Sequence, residues 1–298
     1  MYSLKTKVFT CFLTFVMAFS LLPALNSNAA TKKKDWKVNG ITCTLYDDGT
    51  FTVAGNGAIP DYELFTNGKT SAPWTDSRYN ITKLVIGNGI TRIGNNAFAQ
   101  CSRLATIEFK GTTLQSFGLQ AFYSCNALKS VVLPEGLTSL GKSSFYCCSN
   151  LEAVTLPKTL KTIGVQAFCR CNLKKVYIPA SVTKIGDQAF RSNYHLVSAT
   201  GGAGLQIIGV YAFAHCQTLK NFVITSQKLK KIGSGAFTCD YKLKTVYIKN
   251  TTKLTKKGVK GSMYLSSVKT VKVKKSKVKK YKKIFARRNS GKSVKVKK

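Results

Sequence analysis

Residues 93–98 read Ile93-Gly94-Asn95-Asn96-Ala97-Phe98, and the string returns as Phe117-Gly118-x-x-Ala121-Phe122, Leu140-Gly141-x-x-Ser144-Phe145 and Ile163-Gly164-x-x-Ala167-Phe168. Its phenylalanines are Phe98, Phe122, Phe145, Phe168, Phe190, Phe213 and Phe237, each four residues after a glycine and spaced 22 to 24 residues apart. Self-similarity at this period predicts a solenoid, in which a short unit that cannot bury its apolar face alone gains a core by stacking on its neighbours.

Each unit adds a Val-x-Leu alternation suited to a short strand, as in Val131-x-Leu133-Pro134 and Val154-x-Leu156-Pro157. The expected architecture is an α/β solenoid of about eight units with short strands on one face, spanning residues 81–275. The glycine before each Ala-Phe pair allows a close approach or a conformation that a side chain would block. Unit five departs from the pattern at Leu196-Val197-Ser198-Ala199-Thr200-Gly201-Gly202, where small residues predict a bulge or loosened coil. An eighth unit follows if Gly258 takes the glycine position, which puts Ser262 at the Phe position and Leu265 at the Cys position, with Val268, Val271 and Val273 in the strand.

Residues 31–80 lack the repeat. Ile41 to Tyr46, a turn at Asp47-Asp48-Gly49 and a return through Thr50 to Val53 predict a β-hairpin forming an N-terminal cap. The Asp47-Asp48-Gly49 step reads as a turn rather than a calcium loop, because too few oxygen ligands follow at loop spacing. At the other end, residues 276–298 predict a basic C-terminal cap, with Val278, Tyr281, Ile284 and Phe285 on one helical face and a strand-like Val294-Lys295-Val296.

The charge is lopsided. The chain carries 47 Lys and Arg against 11 Asp and Glu, and after Asp240 the final 58 residues hold 22 basic side chains and no acidic one. Such a field favours a polyanionic partner. Lys5 and Lys7, an apolar run from Val8 to Leu22 and the small residues Ser27 to Ala30 read as a secretory signal peptide over 1–30, cut after Ala29 or Ala30. Cys11 lies at the start of the apolar run, away from a lipoprotein acylation position. With no second apolar segment and no hydrophobic tail, the expectation is a secreted protein without a membrane span after cleavage, soluble or held non-covalently at a cell surface.

The Ile-Gly-x-x-Ala-Phe-x-x-Cys-x-x-Leu-x-x-Val-x-Leu-Pro units resemble the BspA-like leucine-rich repeat family over about residues 81–273. Gly55-x-Gly57 and Ala72-Pro73-Trp74 resemble the region that precedes such repeats in secreted proteins of gut Gram-positive bacteria. The resemblance implies a surface or secreted binding protein, some members acting as adhesins for host matrix proteins or other cells. It names no ligand residues.

Cys101, Cys125, Cys148, Cys171 and Cys216 fall three residues after the repeat's Phe, with Asn193 and Asp240 in the same place in the other two units. Interchange with Asn marks a structural ladder inside the turn. Nine cysteines remain once Cys11 leaves, and an odd number argues against a complete disulfide framework. Cys147-Cys148 and Cys169-x-Cys171 lack the C-x-x-C spacing of a zinc site, so neither metal nor cofactor is expected. The only histidines, His195 and His215, sit at turns without a nucleophile motif, and no enzyme activity is expected.

Two columns of the strand face remain. Two residues before the central strand residue stand Lys129, Glu152, Lys174, Val197, Lys220, Lys244 and Lys269; one residue after it stand Val132, Thr155, Tyr177, Thr200, Val223, Tyr247 and Lys272. Pointing outward, Lys129, Lys174, Tyr177, Lys220, Lys244, Tyr247, Lys269 and Lys272 would make a basic stripe with two tyrosines. The partner this predicts is an anionic cell-wall polymer or acidic host glycan, with a host surface or matrix protein read by the tyrosines as the alternative. Export leaves nucleic-acid binding as a side effect of the charge.

Overall fold

The Val-x-Leu segments form a file of parallel strands in three successive sheets, Lys83–Ile86 with Thr106–Phe109, Ser130–Val132 with Ala153–Thr155, and Lys175–Tyr177 through Asn221–Ile224 and Thr245–Ile248 to Thr270–Lys272. The structure is a computed structural model describing residues 30–250 and 252–298. The leader expected over residues 1–30, with Cys11, lies outside the described residues but for Ala30. A second parallel ladder, which the repeat pattern did not anticipate, runs along another wall. Seven of its eight strands are the residues leading up to each repeat glycine, from Ile90–Ile93 to Lys231–Ile232, and Gly57–Ala58 precedes them at the N-terminal edge. The molecule is thus a β-solenoid of about nine turns. Among the described residues α-helix is confined to Val278–Ile284 and Arg287–Ser290.

The core is a continuous spine. The seven repeat phenylalanines are fully buried, and successive rings stack nearly parallel, with centroids 5.7 Å apart for Phe98–Phe122, 5.4 Å for Phe145–Phe168 and 6.3 Å for Phe213–Phe237. Each such side chain contributes roughly 1.5–3 kcal/mol through burial. Trp74 extends the spine beyond the repeat, stacking on Phe98 at 5.7 Å while its indole N–H donates to Ala97 O at 2.8 Å. The glycine file follows from the tightness of the coil: a Cβ on Gly164 would lie 2.5 Å from both Gly141 O and Leu140 O of the preceding unit. No side chain fits there.

The hairpin is present as Ile41–Tyr46 against Thr50–Ala54, and Lys32–Val38 adds an antiparallel strand outside it. Its return strand pairs in parallel with Lys83–Ile86, so this region takes up the coil geometry without the repeat sequence. At the far end Lys295–Lys297 adds a further parallel strand, with Val296 beside Val271. Tyr281 is fully buried there, its hydroxyl accepting from Thr252 N at 2.8 Å.

Two expectations are corrected. Unit five has no bulge: Ser198–Gly201 pairs in register with both neighbours, Ala199 standing beside Val176 and Phe222. The volume that Ala199 lacks is supplied by Phe222, whose ring lies 4.8 Å from those of Phe213 and Phe237. Unit eight has not lost its spine residue. Its left-handed residues are Gly261 and Leu265, four apart like Asn96 and Gln100 in the first unit. That register puts Ser262 with the alanines, the fully buried Met263 at the Phe position and Ser266 at the Cys position. Leu265, expected inside, is 63% exposed. One extra residue after Gly258 shifts the alignment, and Met fills the spine where a ring would otherwise stand.

Candidate functional site

Strand alternation decides what the outer face presents. The central residues Val131, Val176, Ala199, Phe222, Val246 and Val271 point into the core, and their neighbours on either side point out. Tyr177 is 69% exposed and Val132 67%. Lys272 is exposed and stands beside Tyr247, its ammonium 5.7 Å from the ring centroid, which leaves that tyrosine half-buried. Lys129, Lys174, Lys220, Lys244 and Lys269 are all exposed where the chain enters each strand. Backbone hydrogen bonds tie this column together: Glu152 N to Lys129 O at 2.8 Å, Lys174 N to Glu152 O at 3.0 Å, and Lys269 N to Lys244 O at 2.9 Å. Tyr177, Tyr247 and Lys272 thus lie on the outward strand face, and the five lysines line its edge where the chain enters each strand.

The wall is not electrostatically uniform. Glu152 pairs with Lys174 at 2.5 Å, and that hydrogen-bonded ammonium holds the Glu152 carboxyl below its ordinary range. Farther along, Lys244 Nζ donates to Tyr241 O at 2.6 Å. Among the described residues none of Lys220, Lys244, Lys269 and Lys272 is within 4.0 Å of a carboxylate. Lys175, Lys295 and Lys297, absent from the expected set, are exposed strand residues on the same face. Plain alternation about Val176 and Val296 marks them. Lys297 stands next to Lys272 and lengthens the column that begins with Tyr177 and Tyr247.

Behind the wall, the ladder position faces inward. Cys125, Cys148, Cys171 and Cys216 donate their thiols to the carbonyls of Phe98, Phe122, Phe145 and Phe190 at 3.1–3.3 Å. Burial pushes the thiols of Cys125, Cys171 and Cys216 upward, and that of Cys101 to about 12, which makes them poor nucleophiles. Asn193 performs the same task with its amide, donating to Phe168 O at 2.8 Å and Phe190 O at 2.9 Å. Asp240 accepts from Cys216 N at 2.8 Å, and burial raises its carboxyl well above the ordinary range. Among the described residues no group of three or more His, Cys, Asp or Glu could hold a metal ion. No described helix is long and apolar enough to cross a membrane.

A family profile described as "BspA type Leucine rich repeat region" matches residues 76–197 and 183–297, in 6 copies. Among solved structures, a leucine-rich repeat protein from Bacteroides ovatus is similar at 21% identity, covering 88% of this chain and 76% of its own, with a TM-score of 0.53. A leucine-rich repeat protein of T. pallidum is similar at 20% identity, covering 70% of this chain and 91% of its own, with a TM-score of 0.44. A leucine rich cell surface protein from Faecalibacterium prausnitzii is 18% identical, covering 89% and 95%, with a TM-score of 0.39. No curated protein matches the chain.

Proposed function

The chain belongs to the BspA-type leucine-rich repeat family, and from that premise we propose that it is an exported interaction protein that holds an anionic polymer, a cell-wall polymer or an acidic glycan, on the C-terminal half of its strand face. The observation that carries this reading is the run of Lys220, Lys244, Lys269 and Lys272 on one ordered wall, none of them paired with a carboxylate among the described residues. Lysines spaced by the strand separation of roughly 4.8 Å present a regular row of charge to a polyanion. A lone exposed ion pair adds little, whereas a row of like charges in register gains with each anionic group it meets.

The test is retention of the purified protein on immobilised polyglycerol phosphate and on neutral dextran across a salt series. Affinity for the polyanion is expected to fall steeply between about 0.05 and 0.5 M salt, where the screening length shrinks from beyond 10 Å to a few ångströms. Replacing Lys220, Lys244, Lys269 and Lys272 together by Gln should lower it at least about tenfold, equivalent to about 1.4 kcal/mol. Salt-independent retention would sink the electrostatic reading.

A second reading, recognition of a host protein, is favoured by Tyr177 and Val132, large side chains that are 69% and 67% exposed on the same wall. Here Tyr177→Ala with Tyr247→Ala should abolish capture of a matrix protein, while loss of residues 277–298 should spare it.

A further inference from the structure

Unit four is one residue short. Units one to three and five to seven place two residues between the ladder residue and the next buried Leu, as in Cys148-x-x-Leu151 and Asn193-x-x-Leu196, but here Cys171-Asn172-Leu173 has a single one. In the longer turns the Leu amide bonds back to the ladder carbonyl, as Leu128 N does to Cys125 O at 3.2 Å and Leu151 N to Cys148 O at 2.9 Å. The short turn forgoes that bond. Leu173 N donates instead to Asn193 Oδ1 at 3.1 Å, from the unit beyond. The turn edge is therefore recessed at unit four while units three and five stand proud of it, leaving an open notch of about 470 Å³.

What lines the notch is chemically mixed and convergent. Ser149 comes from unit three, Arg170 and Asn172 from unit four, and Tyr194 and His195 from unit five. Tyr194 is 48% exposed and His195 is exposed beside it. Arg170 lies alongside Tyr146 and Cys147. Glu152, a carboxylate within electrostatic reach of His195, is engaged by Lys174. A guanidinium that can fork onto a carboxylate, an aromatic face, a side-chain amide, an imidazole and a hydroxyl within one small recess match a pyranose ring bearing a carboxylate. The ring's apolar face can cover Tyr194, and its hydroxyls can meet Asn172, Ser149 and His195. The volume lies within the range of small-ligand sites.

From this we infer that the notch at unit four is a binding site for a single uronic-acid residue of a glycan, with Arg170 taking the carboxylate and Tyr194 the sugar face. The site is separate from Lys220, Lys244, Lys269 and Lys272, so it stands or falls apart from the polyanion reading.

The experiment is a heteronuclear NMR titration of the full chain with a hyaluronan tetrasaccharide, whose only charges are carboxylates, in about 0.5 M salt to screen the lysine wall. Shifts are expected at Asn172, Tyr194 and His195. Arg170→Gln should weaken binding about tenfold, the value of one charge-assisted hydrogen bond, and methyl esterification of the sugar should do the same. Gln is tolerated at this position, since the equivalent residue of the first unit is Gln100 with φ 62° against 58° for Arg170. Tyr194→Ala should weaken binding too, whereas Lys220→Gln with Lys244→Gln should leave it within about twofold, because screened charges contribute little at that salt. No shift at the notch, or equal affinity for the wild type and Arg170→Gln, overturns the assignment.

Discussion

The amide of Leu173 donates to Oδ1 of Asn193 at 3.1 Å, across the boundary between two units. That one bond explains why the ladder switches from Cys to Asn after the shortened turn. A thiol could still reach the Phe168 carbonyl, but it could not accept from a buried N–H left without its own turn carbonyl. The irregularity of unit four and the substitution in unit five are a single structural adjustment.

Asn193→Cys should therefore destabilise the protein by about 1–3 kcal/mol, the cost of an orphaned buried donor. Amide exchange at Leu173 should accelerate while that at Leu151 does not. Inserting one Gly between Asn172 and Leu173 should be better tolerated in the Asn193→Cys background than in the wild type. Equal tolerance in both would break the link between the two features.

Asp240 stands where Asn193 and the cysteines stand, and its Oδ2 lacks a partner among the described residues. Because burial raises its folded-state pKa above the unfolded value, the neutral acid's contribution is complete below about pH 4 and is lost as pH rises through the folded pKa. Asp240→Asn keeps the acceptor for Cys216 N and adds the donor that Asn193 uses. The melting temperature of the variant should match the wild type near pH 4 and exceed it increasingly as pH rises. A variant less stable than the wild type at neutral pH would show that the acid is held charged.

The phenylalanine spine predicts a steep mid-stack penalty. Phe168 has stacked rings on both sides, at 5.4 and 5.5 Å. Phe168→Ala should cost about 3–5 kcal/mol in denaturant unfolding. A loss below about 1 kcal/mol, typical of a surface site, would mean that the spine carries little of the stability.

Ala199 and Phe222 should behave as a coupled pair. Ala199→Val alone should overpack the core by about 1–3 kcal/mol, and the same change in a Phe222→Val background should cost less. A double-mutant cycle is expected to give a coupling of at least about 0.5 kcal/mol. Additive effects would mean that the two residues fill separate spaces.

Much of this architecture could be read from seven glycines and seven phenylalanines, because a period fixes neighbours as well as elements. The exposure of Tyr177 and Lys272, and of the lysines at the strand entrances, was legible for the same reason. What escaped had physical causes. The second ladder rests on two-residue strands such as Thr162–Ile163, too short for any alternation to show. Trp74 gave no sign of joining the spine because its place on Phe98 comes from packing and not from a repeated string. Ala199 was misjudged because the residue that compensates for it, Phe222, lies a whole unit away. In unit eight an extra residue after Gly258 broke the one-dimensional alignment while the left-handed pair at Gly261 and Leu265 preserved it in space. The notch needed a missing residue to be noticed, and its lining side chains come from three units.

The burial of Asp240 has an electrical consequence. Ten of the chain's 11 acidic residues precede Gln188, and the remaining one is the buried Asp240. Outward-facing negative charge therefore ends at Asp187, well before the lysine-rich strands begin to accumulate. Along its stacking direction the solenoid is an electric dipole with its positive pole at the last strand. Near a negatively charged surface it would feel a torque before making contact, and would arrive with the Lys272 and Lys297 end leading.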